Sequence, residues 1–211
     1  MMPEDNRQPT GRIFPFAAGK GTLCGIFGGS FNPIHNGHVS LAKEMLSTLG
    51  LDEVWFLVSP HNPLKPRGAL LDDDLRLEMV RMALSDEPQL AASDYEFRLP
   101  RPSYTYDTLR RLSADYPLHR FVLLIGADNW QLFGEWRNAG EILAHYPIAI
   151  YPREGYSVDV ASLPPTVRLV DTPLHNISST AVRRMIAEGR DIRGYVHPQV
   201  ADFIAREHLY R

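Results

Sequence analysis

Two histidines, His35 and His38, stand at the end of a glycine-rich loop and have the chemistry to stabilise negative charge. The loop starts at Gly28–Gly29, where a short apolar run ends, and apolar residues recur at helical spacing from Val39 onward. Glycines let backbone N–H groups approach an anion and a helix start favours negative charge, so imidazole N–H donors here could stabilise a phosphate in a transition state. The alternatives are two structural loop histidines, or a metal site for which cysteine and acidic partners are missing nearby. The glycines and the helix start favour phosphate recognition.

A second candidate anion site lies in the stretch ISSTAVR, residues 177–183. Ser178 and Ser179 precede an apolar helical run, which is by itself an ordinary N-cap signal. Arg183 follows one turn into that helix, where a guanidinium can reach an anion held at the helix start. Together with the histidine loop, these hydroxyls, N–H groups and guanidinium indicate a polyphosphate site.

Apolar runs and helical spacings alternate along the chain, and the resulting elements must position both stretches. We predict a single α/β domain built on a doubly wound, mainly parallel, Rossmann-like sheet with helices on both faces. The expected strands lie at 23–27, 54–58, 90–92, 121–125, 147–151 and 167–170. The expected helices lie at 37–49, 72–85, 106–116 (with Thr105 as N-cap), 179–188 and 198–208, with short helical pieces at 130–136 and 141–144. Ligands of such sheets bind beyond the carboxyl ends of strands, where the loops 28–38, 59–67 and 126–136 and the start of ISSTAVR all fall.

The composition of the chain excludes several function classes. Its 211 residues suffice for one domain, which we place at residues 21–211 after a polar N-terminal extension over residues 1–20. The net charge is −3, so no global basic field recruits nucleic acid. The single cysteine, Cys24, excludes an intrachain disulfide and a cysteine metal cluster. The chain contains no apolar run of about 18 residues and no signal-peptide core, so we expect no membrane partner and a cytoplasmic location.

Both stretches resemble signatures of a known enzyme superfamily. The segment GGSFNPIHNGH (28–38) is similar to the first signature of the HxGH nucleotidyltransferases, and ISSTAVR is similar to the second. Four further segments resemble bacterial nicotinate-nucleotide adenylyltransferases: PHNPLKP (60–66), SYTYDTL (103–109), IGADNWQLFGEW (125–136) and the terminal PQVADFIAREHLY. The resemblance spans nearly the whole chain from Thr22. The usual first motif is GGTFDPIHxGH; here Ser30 keeps a hydroxyl, and Asn32 removes a charge, which lowers repulsion of phosphates and makes it a poor metal ligand.

The resemblance implies transfer of AMP from ATP to nicotinate mononucleotide, giving nicotinate adenine dinucleotide (deamido-NAD) and pyrophosphate, a step of NAD biosynthesis. The 5′-phosphate of the acceptor is already ionised at about pH 7, so it can attack without a general base. Mg²⁺ would be carried with ATP, with no metal ligand from the chain. The alternatives are an enzyme of the same fold that prefers nicotinamide mononucleotide, and a non-catalytic nucleotide-binding sensor. The chain could also form a homo-oligomer.

The motifs and the resemblance together assign expected roles to individual residues. The catalytic residues are His35, His38 and Arg183. The ATP-binding residues are Gly28, Gly29, Ser30, Phe31, His35, His38, Gly126, Asp128, Ile177, Ser178, Ser179 and Arg183, where Asp128 accepts ribose hydroxyls or else caps a helix. The acceptor-binding residues are Lys65 at a phosphate, Trp136 stacked on the pyridine ring, and Thr105 and Tyr106, whose segment presents backbone N–H groups to the nicotinate carboxylate. A nicotinamide group would match those donors poorly.

Overall fold

The computed structural model of the protein describes residues 20–60, 70–174 and 177–211. The strands are β1 (Thr22–Gly29), β2 (Glu53–Val58), β3 (Leu90–Ser93), β4 (His119–Gly126), β5 (Ile148–Tyr151) and β6 (Val167–Leu169). The helices are α1 (Asn36–Leu49), α2 (Asp73–Ala83), α3 (Thr105–Asp115), α4 (Ala127–Gln131), α5 (Ala139–His145), α6 (Ser179–Ala187) and α7 (Pro198–Arg206). Short 3₁₀ helices cover Tyr95–Arg98, Phe133–Glu135 and Val160–Ser162.

The six strands form one sheet in the order β3–β2–β1–β4–β5–β6, and every described pair is parallel. Strands β2 and β3 follow β1 toward one edge of the sheet. The chain then returns to the other side of β1 with β4, and β5 and β6 continue toward the opposite edge. The switch point in strand order therefore lies between β1 and β4, and the carboxyl ends of these two strands are where such a sheet binds ligands. This architecture confirms the predicted fold class.

Each face of the sheet carries its own hydrophobic cluster, because strands covered on both sides alternate apolar residues between the faces. Along β1, Phe27 packs in the first cluster and Ile26 in the second. Helices α1, α2, α6 and α7 contribute to the first cluster (Met45, Leu77, Val182 and Val200). Helices α3 and α5 contribute to the second (Leu109, Leu112 and Ile142). No helix in the described part of the chain is both long and apolar enough to cross a membrane.

Some element ends differ from the sequence-based expectation. Strand β1 runs through Gly28 and Gly29, because their backbones stay paired with β2 although they lack side chains. The prediction that Thr105 caps α3 is wrong: Tyr104 occupies the extended N-cap position and Thr105 is the first helical residue. The Thr105 hydroxyl suggested a cap one residue later than the observed N-cap, an error of the size that is common at helix ends. Residues 1–19 lie outside the described residues, so the polar extension stays a prediction.

Candidate active site

Two cavities adjoin at the switch point of the sheet. The larger, here called the histidine cavity, has a volume of about 480 Å³. Its lining includes His35, His38, Asp128, Tyr151, Arg153, Ile177 and Ser178. The smaller, here called the tryptophan cavity, has a volume of about 210 Å³, and its lining includes Gly28, Gly29, Glu96, Thr105, Asn129, Tyr151 and Trp136. Because Tyr151 lines both, a ligand in one cavity lies beside a ligand in the other.

The two imidazoles meet at the start of α1. His35 is the N-cap residue, and the backbone N–H of His35 donates to Nδ1 of His38 at 3.2 Å. The rings stack with their centroids 3.7 Å apart. A neutral His38 whose Nδ1 accepts must carry its proton on Nε2, so this ring is a hydrogen-bond donor at its far edge. The histidines thus brace the loop and also line the cavity, so the structural interpretation and the phosphate interpretation are compatible.

The glycine loop brings backbone rather than side chains to the cavities. A side chain at Gly28 would project into open space, whereas a Cβ at Gly29 would lie 2.9 Å from the Phe31 ring. Phe31 has a φ of 44° and is only 2% exposed. Its ring packs edge-on against His38 at 5.2 Å. The buried Phe31 ring therefore supports the His38 imidazole. Any contact of Phe31 with ATP would involve its backbone, because its side chain is buried. Ser30 is exposed.

The start of α6 is fastened to the same loop. The Ser178 hydroxyl oxygen caps the helix by accepting from the Ala181 N–H at 3.1 Å. The Ser179 hydroxyl donates to the Pro33 carbonyl at 2.8 Å. Arg183 donates from Nη1 to the Asn32 carbonyl at 2.7 Å. Ser178 lines the histidine cavity, whereas Ser179 and Nη1 of Arg183 fasten the start of α6 to the loop before α1.

An ion pair borders the histidine cavity at the end of β4. Gly126 is the N-cap of α4, so Asp128 lies in the first turn and is not the cap. A Cβ at Gly126 would collide with the Asp128 carboxylate, so only glycine lets that side chain fold back here. Arg153 Nε lies 3.8 Å from Asp128 Oδ1, and the Arg153 guanidinium stands 5.1 Å from the Tyr151 ring centroid. Sequence reasoning missed Arg153; its position just after the apolar strand β5 was the available signal.

Trp136 forms one wall of the tryptophan cavity. It is half-buried and packs on Phe133 with 5.3 Å between ring centroids. Trp130 stacks on the same Phe133 ring, with 5.2 Å between ring centroids. Thr105 lines the cavity from the first turn of α3, whose N-cap residue makes no side-chain capping bond. Tyr106 packs partly buried against the second hydrophobic cluster.

A carboxyl group that sequence reasoning missed, Glu96, forms the floor of the tryptophan cavity. Its two oxygens accept from the Thr108 hydroxyl at 2.9 Å and the Ser103 hydroxyl at 3.4 Å. Burial raises the pKa of Glu96, and the hydroxyl donors only partly offset that effect. Glu96 lies in the segment 95–98, whose apolar and charged residues gave no periodic signal.

A buried arginine ties the loop to its neighbours. Arg76 of α2 is 0% exposed. Its guanidinium donates to the carbonyls of Ser30 at 2.5 Å, Ser59 at 2.8 Å and Leu71 at 3.0 Å, and it pairs with Asp73 at 2.6 Å. The backbone after β1 and the backbone after β2 are therefore joined through one side chain. Lys65 lies in the segment 61–69, outside the described residues.

The fold and the site define a class: a parallel sheet with two helix starts and two imidazoles around a cavity of about 480 Å³ is the arrangement of a nucleotidyltransferase. A model of the cytidylyltransferase-like family matches residues 26–185, which is most of the chain. A relative from Bacteroides fragilis, named as a probable nicotinate-nucleotide adenylyltransferase, is 50% identical over 179 residues, covering 85% of this chain and 89% of the relative. One of the same name from Bacteroides thetaiotaomicron is 48% identical, covering 88% and 91%.

The chain belongs to the nicotinate-nucleotide adenylyltransferase family. The predicted family and enzyme class are therefore confirmed. Among solved structures, the nicotinic acid mononucleotide adenylyltransferase of Plasmodium falciparum complexed with NaAD matches with a TM-score of 0.75 at 21% identity. That match covers 90% of this chain and 97% of the other. At this identity it shows the shared fold.

Proposed function

We propose that the protein transfers the adenylyl group of ATP to nicotinate mononucleotide, producing nicotinate adenine dinucleotide and pyrophosphate. The observation that carries this proposal is the pair of adjoining cavities. The histidine cavity has the imidazoles and the start of α6, which suit phosphates, and the tryptophan cavity has an indole and an uncapped helix start, which suit a pyridine carboxylate. In this proposal the two substrates meet beside Tyr151, which lines both cavities.

The reaction needs stabilisation of charge rather than a proton acceptor. An ionised oxygen of the acceptor 5′-phosphate forms a bond to the α-phosphorus of ATP, the bond from that phosphorus to the bridging oxygen breaks, and the electron pair leaves with pyrophosphate. Negative charge shifts toward the departing oxygens, where donors act best. His38 donates from Nε2–H, and the buried His35 holds it in place through the stacked geometry.

ATP occupies the histidine cavity in this proposal. The Gly28–Gly29 backbone, Ser30 and Ser178 lie along its phosphates, and Arg183 offers its remaining N–H donors from beside the loop. Asp128 accepts from the ribose hydroxyls. Its pairing with Arg153 at 3.8 Å is loose enough to leave acceptor capacity on the carboxylate.

Nicotinate mononucleotide occupies the tryptophan cavity. Its electron-poor ring stacks on Trp136, and its carboxylate accepts from backbone N–H groups in the first turn of α3, at Thr105 and Tyr106. The side chain of Tyr106 packs partly buried against the second hydrophobic cluster, so the proposal assigns the contact to its backbone. Lys65 remains a proposed contact to the acceptor phosphate.

Mg²⁺ enters this scheme as part of the substrate MgATP. The lining of the histidine cavity fits that role: besides its imidazoles it has two carboxylates, Asp128, which faces Arg153 at 3.8 Å, and Glu154, and no cluster of three candidate ligands occurs among the described residues. A hard cation held mainly by ATP oxygens and water needs no such cluster. The bound ion would withdraw charge from the phosphates. A cytoplasmic location and a homo-oligomer stay predictions.

The test is an acceptor comparison with the purified protein. Pyrophosphate release is followed with MgATP and either nicotinate mononucleotide or nicotinamide mononucleotide, and the dinucleotide product is identified by mass. The proposal expects pyrophosphate with both reactants present and a clear preference in kcat/KM for the nicotinate acceptor. A preference for nicotinamide mononucleotide would show that the proposed acceptor is wrong. If neither acceptor gave pyrophosphate, the result would favour a nucleotide-binding sensor.

A further inference from the structure

A third cavity opens beside the tryptophan cavity, and Arg137 stands at its edge. This outer cavity has a volume of about 290 Å³. Its described lining residues are Ser103, Tyr104, Thr105, Glu135, Trp136 and Arg137. It shares Thr105 and Trp136 with the tryptophan cavity, so the two cavities meet at the proposed pyridine stacking residue and the start of α3.

The guanidinium of Arg137 is held near the start of α3 by weak contacts. It lies 4.7 Å from the ring centroid of Tyr104, the N-cap residue of that helix. Its ion pair with Asp107 spans 3.9 Å, and 57% of its side chain and 36% of the Asp107 side chain are exposed. An exposed pair at that distance is worth little, so a better anionic partner can take the guanidinium at small cost.

We propose that Arg137 pairs with the carboxylate of the bound pyridine ring and so determines part of the selectivity for the acid over the amide. The inference rests on the proposed function. A carboxylate at the uncapped start of α3 would receive N–H groups from the helix on one side and a planar, two-pronged guanidinium on the other.

The charges around the outer cavity make this pairing decisive. Among its described lining residues Arg137 is the one cation, while Glu135 lines the same cavity and Asp107 sits in the first turn of α3. Without Arg137, an acceptor carboxylate would face carboxylates of its own sign. A neutral carboxamide would not meet this repulsion and would gain little from the guanidinium. Arg137 therefore acts on the acid and leaves the amide nearly unaffected.

The experiment compares Arg137→Gln with the wild type on both acceptors. A charge-assisted hydrogen bond corresponds to a loss of about tenfold to hundredfold in kcat/KM. We expect that loss with nicotinate mononucleotide, mainly in its KM, and a change of less than about threefold with nicotinamide mononucleotide. The KM for ATP should not change. Arg110→Gln is the matched control, because it removes an exposed cation from α3, the helix whose start Arg137 faces.

Several results would overturn the inference. An equal loss with both acceptors would show that Arg137 only supports the fold, and an unchanged ratio would show that it does not contact the carboxylate. If Arg137→Gln does not fold, Arg137→Lys keeps a cation but loses the planar pair of donors, and a shift of about threefold to tenfold in the same direction is expected; an unchanged ratio in that variant overturns the inference. If the wild type itself does not use nicotinate mononucleotide, the proposed function fails first.

Discussion

Replacing Arg76 by methionine tests whether one buried side chain holds the active-site loop. Methionine keeps much of the stem volume and removes the guanidinium. The variant leaves the Ser30, Ser59 and Leu71 carbonyls without their charged donor. Asp73 keeps a second partner, because Arg101 lies 3.0 Å from its other oxygen. The loss is therefore one buried cation with its carbonyl contacts, and not a fully stranded ion pair.

The expected cost is about 3–5 kcal/mol of unfolding free energy, because three carbonyls lose the charged donor that the buried guanidinium supplied. Each carbonyl left unsatisfied accounts for about 1–3 kcal/mol, and the terms are not additive because water can reach some of them. For a chain of this length the melting temperature should fall by about 6–20 °C. The turnover with ATP should fall as well, because Ser30 belongs to the phosphate loop.

Urea unfolding followed by tryptophan fluorescence measures the cost, with an unchanged m-value as the check that the unfolding transition is the same. The control is Arg81→Met on the same helix: the Arg81 side chain is 57% exposed and its ion pair with Glu78 spans 3.8 Å. That variant should stay within about 0.5 kcal/mol of the wild type. A cost below about 1 kcal/mol for Arg76→Met would refute the reasoning, because the loop would then not depend on this contact.

Three further outcomes follow from the site and the core. His38→Ala should lower kcat by about a hundredfold to a thousandfold with its circular dichroism spectrum unchanged; near-normal turnover at saturating substrates would remove its assigned role. The pKa of Glu96 is raised in the native state, so ionisation of this carboxyl lowers the stability of the wild type as pH rises above the ordinary carboxyl range. Glu96→Gln cannot ionise, so its melting temperature relative to wild type should increase from acidic to neutral pH. A difference that stays constant with pH would contradict this. Burial raises the pKa of the Cys24 thiol, so iodoacetamide should label it only after denaturation, and rapid labelling of the native protein would show an opening of β1.

The sequence could predict the elements and the phosphate-binding segments because their signals are local. Continuous apolar runs mark strands covered on both faces, and glycines, histidines and hydroxyl residues mark helix starts over a few residues. The strand order was open, since the position of β1 beside β4 depends on contacts between distant segments. The predicted N-cap of α3 was wrong by one residue because a local signal was ambiguous. A threonine hydroxyl at position 105 gives the same sequence signal whether it caps the helix or faces a cavity.

The residues that sequence reasoning missed share one property: their roles depend on partners far along the chain. Arg76 reads as one more charge on an amphipathic helix, yet its acceptors lie in three separate segments. Glu96 meets Thr108, 12 residues further along the chain, and Arg153 meets Asp128 of another strand end. Periodicity and short motifs carry no information about such pairs, so these positions become visible only when the sheet brings the strand ends together.

Asn32 shows how a departure from the family motif follows from packing. The residue is 4% exposed. Its amide oxygen accepts from the Leu71 N–H at 3.3 Å and from the Tyr210 hydroxyl at 2.8 Å, while its carbonyl accepts from Arg183. Burial raises the pKa of Tyr210, so this hydroxyl remains a donor throughout the neutral range. A neutral amide accepts both bonds without the desolvation cost of a buried carboxylate. In the sequence, only the resemblance linked the terminal segment to the site. In the structure, Tyr210 joins that segment to the loop before α1. This loop is therefore held by the last turn of the chain as well as by α6.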